Sequence, residues 1–164
     1  MSDFVLFDEE FQQIKDVIAR LKGDAQAKVV FIVDKNGQQI AAQGDLESLD
    51  TTSLASLTAG NVAATDGLAR LIGEREFPVL FHEGEKDNVY ISIVGQRVIL
   101  VVIFDERSSL GLVRLRVRKA NQDLERIFEA IQKKVETERD KRHEGIDSPF
   151  AEITDEDIDS LFRE

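Results

Sequence analysis

The stretch from Thr51 to Gly73, TTSLASLTAGNVAATDGLARLIG, constrains this chain more than any other. Placed on a helix, Leu54, Leu57, Asn61, Ala64, Leu68 and Leu71 fall on one face at steps of three and four, the face expected to enter a core. The opposite face carries Ser56, Ala59, Gly60, Ala63, Asp66, Gly67 and Arg70. A solvated helix back is normally written with Lys and Glu, yet no charge stands between Asp50 and Asp66. Two glycines sit mid-helix, each costing about 1 kcal/mol of helix propensity relative to Ala. Small side chains let another backbone approach closely, a steric argument best known from membranes that does not need lipid. This face therefore reads as a protein-docking surface. The alternative is a helix fully buried inside one protomer.

Composition narrows what could dock there. A net charge of −11 over 164 residues opposes nucleic acid as a principal ligand, since phosphate binding needs clustered cations. It equally opposes anionic membrane surfaces. The longest apolar run, Val98 to Phe104, is strand-sized, so no membrane insertion is expected. The N-terminus MSDFVLFDEEF lacks the basic start and long apolar segment of a signal peptide, and there is no cysteine. A cytoplasmic location follows as the expectation. The acidity is uneven: residues 137–164 carry a net −6, residues 1–136 a net −5. That shift marks a boundary. The reading is a domain at 1–136, a flexible acidic linker at 137–149, and an amphipathic partner-binding segment at 150–164.

Along the chain, Phe7 to Leu21 has helical periodicity with acids in its first turn. KVVFIV at 28–33 is a continuous apolar strand suited to a sheet covered on both faces, and Asn36-Gly37 signals a tight hairpin to a return strand at 38–43. Asp50, Thr51 or Thr52 can cap the central helix. Three strands follow Pro78, the last, VILVVIF at 98–104, apolar enough for the sheet centre. A long helix from Leu110 keeps its apolar rhythm to Ile131. The expected architecture is an α/β sandwich: a five-stranded antiparallel sheet with the central helix on one face and the two terminal helices on the other, plus a C-terminal extension. In that extension Phe150, Ile153, Ile158, Leu161 and Phe162 form a small apolar edge suited to folding on a partner's groove. A terminus without such a role is the alternative.

Catalytic chemistry is nearly absent from the sequence. There are two histidines, His82 and His143, neither with an obvious partner, and no metal-ligand spacing, so no metal or cofactor is expected. No Walker-type or dinucleotide-binding glycine loop occurs. Tyr90, the sole tyrosine, reads as a packing residue with a wet tip. Arg107, Arg114, Arg116, Arg118 and Lys119 cluster near the start of the last helix. A solvated face is the default there, with an acidic partner or the chain's own acidic tail as the alternative.

The stretches DTTSLASLTAGNVAATDGLARLIGE, FHEG, VILVVIFD and SLGLVRLRVRKA, with the terminal SPFAEITDEDIDSLF, resemble the Roadblock/dynein-light-chain family. Within it they are similar to bacterial members that activate a small Ras-like GTPase controlling cell polarity and gliding motility. The resemblance implies a homodimer in which sheet edges and central helices meet, with two copies of this chain per GTPase. GTP and Mg would be bound by the GTPase. Ser56, Ala59, Gly60, Ala63, Gly67 and Arg70 would lie on or beside the shared platform. Phe150, Ile153, Ile158, Leu161 and Phe162 would contact the GTPase away from the nucleotide. The resemblance also implies a cell pole as an address. It implies activation by repositioning the GTPase's own residues rather than by an inserted arginine, which leaves Arg70 and Arg75 as formal finger candidates. A Roadblock-type scaffold that tethers a GTPase or motor without stimulating hydrolysis is the alternative. A small-molecule sensor is the third reading, and it would require a pocket that nothing in the sequence marks.

Overall fold

The computed structural model describes residues 7–95 and 97–145. The elements run α1 (Asp8–Asp24), β1 (Val29–Asp34), β2 (Gln39–Gly44), α2 (Thr51–Leu71), β3 (Val79–Glu83), β4 (Asn88–Val94), β5 (Val98–Phe104) and α3 (Leu110–Gly145). All five strands join one antiparallel sheet in the order β2-β1-β5-β4-β3. The most apolar strand, β5, is the middle one and every residue of it is buried. This is the five-stranded sheet with three helices expected from the apolar patterning.

The turn between β1 and β2 is organised by Asp34. Its carboxylate, buried in the protein, accepts from the backbone N–H groups of Asn36 and Gln38, each at 2.9 Å. Gly37 follows with φ +88°, a region that favours glycine. A Cβ added there would stand 3.1 Å from the Ser56 Cα and 3.6 Å from the Ala59 Cβ. The hairpin tip therefore rests directly against the first half of α2.

One sheet face holds Val29, Phe31, Val33, Ile91, Ile93, Ile99, Val101 and Ile103, packed with Ala55, Ala59 and Val62 of α2. Alternate residues point to the other face, where Asn121 of α3 donates to the Ser92 hydroxyl at 2.7 Å. Ile14 and Ile18 of α1 and Val113, Val117 and Leu124 of α3 are buried, and none of them belongs to the α2-side cluster. The helices thus divide one and two between the faces.

The orientation of α2 departs from the expectation. Leu57, Leu68 and Leu71 are 72%, 55% and 85% exposed, and Ala64 is exposed as well. Ala55, Thr58, Ala59, Val62 and Ala69 enter the core instead. The reason is volume. The sheet beneath α2 already presents Phe, Ile and Val, so a close helix needs short side chains on its inner face.

The chain divides into two compact units, Met1–Ile131 and Gln132–Glu164. Helix α3 continues through residues 137–145, which the charge pattern marked as flexible linker. Glu, Lys, Arg and Gln are good helix formers even where no apolar stripe remains. Thr137 Oγ1 bonds back to the Lys133 carbonyl at 2.8 Å and Gln132 donates to Glu136 at 3.4 Å. Phe150, Ile153, Ile158, Leu161 and Phe162 lie outside the described residues.

Candidate functional site: the outer ridge of α2

Helix α2 is held firmly at both ends. At the start, Asp50 accepts from the Ser53 N–H at 3.1 Å and from the Ser53 hydroxyl at 2.6 Å, filling the N-cap role. The hydroxyl bond, then the backbone bond, hold the Asp50 carboxyl below its usual range. At the end, Gly73 adopts φ +83°, its N–H meets the Arg70 carbonyl at 3.2 Å, and the Glu74 N–H meets the Ala69 carbonyl at 2.9 Å. That is a Schellman closure, and it explains this glycine locally.

Gly60 and Gly67 have no such local explanation. A Cβ at either would meet nothing within 4 Å, and neither has a left-handed φ. Within the protomer alanine would fit both positions and favour the helix. The outward surface that contains them also carries Ser56, Ala63 and Arg70, all exposed. Ala59 is the exception among the expected platform residues. It is 8% exposed and belongs to the core beside the hairpin tip. Its smallness serves the sheet contact, so it is corrected from platform to core.

The ridge also includes residues the helical pattern assigned to the interior. Leu57, Leu68 and Leu71 stand among the small residues, and Ile72 beyond them is 63% exposed. At about 2 kcal/mol for a fully buried leucine, the exposed fractions of the three leucines leave about 4 kcal/mol of burial unrealised in the protomer. Both faces of α2 are apolar, so periodicity alone finds two stripes without ranking them. Beside the ridge lies edge strand β3, most of it exposed, including Val79 and Phe81. Asn61 Nδ2 and His82 Nε2 are 2.9 Å apart, which ties α2 to that edge and gives His82 a partner that sequence order hides.

The cationic cluster of α3 is not one patch. Arg107 pairs with Asp105 at 3.0 Å, and this contact raises the guanidinium and lowers the carboxyl. Arg116 and Lys119 line a cleft with Arg20 and Asp24 of α1, while Arg114 and Arg118 face a different cavity. Among the described residues, no group of His, Asp and Glu is arranged to hold a metal. No helix among them is long and apolar enough to cross a membrane.

The Roadblock/LC7 domain family profile matches residues 13–104, from within α1 to the end of β5. The chain belongs to the Roadblock/LC7 family. Among solved structures of this family, MglB from Myxococcus xanthus is 64% identical, spans 77% of this chain and 96% of its own, and superposes with a TM-score of 0.74. Gliding protein MglB from Thermus thermophilus is 32% identical over 79% of this chain and 98% of its own, with a TM-score of 0.74. A structure described as MglB with a tetrameric arrangement is 30% identical over 80% and 98%, with a TM-score of 0.76. Comparison with curated protein sequences gives no match. Helix α3 lies beyond the segment that the profile matches.

Proposed function

We propose that this Roadblock protein is a homodimeric activator of a small Ras-like bacterial GTPase of the MglA type, serving cell polarity and gliding motility. Two α2 ridges side by side would form the seat for one GTPase molecule. The observation that carries this reading is the pair Gly60 and Gly67. They are helix-interior glycines with open space beyond them, set between exposed leucines. No demand inside the protomer accounts for them, so the demand is external: close approach of another backbone. The high identity to Myxococcus MglB supports the choice of partner.

The ridge offers shape in place of reactive groups. Activation would therefore come from holding the GTPase's switch segments so that its own groups meet the γ-phosphate correctly. Positioning of this kind acts on a scale of about 10²-fold or more. GTP and Mg would stay within the GTPase. Arg70, exposed on the last turn of α2, and Arg75, exposed just beyond it, are the cations near enough to the ridge to test as fingers.

The deciding experiment is single-turnover GTP hydrolysis by the cognate GTPase with and without this protein. Stimulation on the order of 10²-fold supports the reading. Stable binding without stimulation overturns it in favour of a tethering scaffold. In Arg70→Ala and Arg75→Ala, stimulation is expected to stay within a few-fold, whereas a loss of about 10³-fold in either would identify a finger.

A further inference from the structure

On the sheet face away from α2, the first half of α3 and strands β3 and β4 line a half-open cavity of about 210 Å³. At roughly 30 Å³ of liquid volume per molecule, it would hold about seven waters. Tyr90 lines it. This side chain is 2% exposed, and its hydroxyl has no hydrogen-bond partner among the described residues. The hydroxyl is not among the polar atoms shut off from solvent, so the wet tip of an otherwise packed ring opens into this space. Asn121 also lines the cavity. It gives its Nδ2 to Ser92, while its Oδ1 is shut off from solvent with no partner. At the rim stand Arg114 and Arg118, one helical turn apart and both exposed. Neither has a carboxylate within ion-pair distance among the described residues, although the chain carries 32 acids. Val117 gives the wall between them an apolar surface.

We infer that this cavity binds a small organic oxyanion of metabolite size, a carboxylate or a phosphate ester. Two guanidiniums on one helix face can grip an oxyanion through several parallel N–H donors. The Tyr90 hydroxyl then donates to a second oxygen, and Val117 packs against the carbon skeleton. The volume is below the roughly 300–1,000 Å³ of drug-sized sites, which limits the occupant to a few carbons beyond its charged group. The site lies on the face opposite the α2 ridge, so it stands or falls independently of the GTPase reading.

The protein carries its own reporter, because Tyr90 is its sole tyrosine and there is no tryptophan. The full chain is titrated at constant ionic strength with malate, 3-phosphoglycerate and inorganic phosphate, with glycerol as a neutral control. Tyr90 emission and the Asn121 side-chain amide NMR signal are followed together. A saturable change with at least one oxyanion and none with glycerol is expected. Response to malate alone assigns a carboxylate site, and response to the two phosphates alone assigns a phosphate site. Arg114→Ala combined with Arg118→Ala alters exposed side chains and is expected to weaken binding at least about tenfold. A linear or absent response to all three anions, an equal response to glycerol, or unchanged affinity in the double variant overturns the inference.

Discussion

Replacing Gly60 and Gly67 by alanine should make the protomer more stable and its partner complex weaker. Neither new Cβ meets an atom within 4 Å. Each substitution removes the mid-helix glycine penalty of about 0.8–1 kcal/mol. The two positions are seven residues apart, about 10 Å along the axis, so the gains should add to just under about 2 kcal/mol. With a urea dependence of about 2 kcal/mol per molar, the midpoint rises by about 1 M. The assay is far-UV circular dichroism in urea on protein dilute enough to be monomeric, which isolates the protomer from any association. The same two methyl groups would stand in the closest part of an α2-mediated contact. Overpacking there costs about 1–3 kcal/mol, enough to weaken GTPase binding at least about fivefold by calorimetry. A fall in dilute-protein stability would mean that the space beyond the glycines is not open. Undiminished GTPase binding and turnover would mean that the ridge is not the docking surface.

Other substitutions test the same frame. Leu57→Gln with Leu71→Gln should leave the stability of the dilute protein within about 0.5 kcal/mol per site, because both side chains are already exposed. It should shift self-association measured by analytical ultracentrifugation toward monomer. Gly37→Ala should have the opposite sign to the helix glycines, destabilising by more than about 1 kcal/mol in urea, since its φ is +88° and the new Cβ would press on the Ser56 backbone. Ala59→Leu should cost about 1–3 kcal/mol in the same measurement by overfilling the α2–sheet contact. Asp50→Ala should lower the melting temperature at neutral pH. The folded carboxyl titrates below the ordinary aspartate value of 3.8, so its contribution is present above that pH and lost as the pH falls through the folded value. The gap in melting temperature between wild type and Asp50→Ala should therefore close on acidification below pH 3.8.

Strand identity was legible because burial on two faces forces continuous apolar runs, and VVFIV and VILVVIF have no other soluble home. The hairpin was legible from Asn36-Gly37, a pair whose chemistry is local. The roll of α2 about its axis was not. Leucine out and alanine in is decided by how much room Phe31, Ile93 and Ile99 leave under the helix, a three-dimensional quantity. The run of α3 through residues 137–145 was hidden for the converse reason. There the apolar period stops but local helix propensity persists through Gly145. The cavity of Tyr90, Ser92, Arg114 and Asn121 joins strands and a helix distant in sequence, so neither half marks a pocket by itself.

The small residues of α2 answer two separate demands. Ala55 and Ala59 are short because the sheet face below them is filled with larger side chains. Gly60, Ala63 and Gly67 are short where the protomer offers no neighbour that would require it. Leucines set between such hollows form a surface of knobs and gaps, which can mate with a copy of itself about a two-fold axis. Under the proposed dimer, the roughly 4 kcal/mol of leucine burial missing from each protomer is recovered on association. That amount is comparable to the whole stability of a marginal domain. Unfolding of the full-length protein should therefore depend on concentration, with the midpoint rising as protein is added. A midpoint constant over a hundredfold concentration range would show that the exposed leucines contribute nothing to assembly.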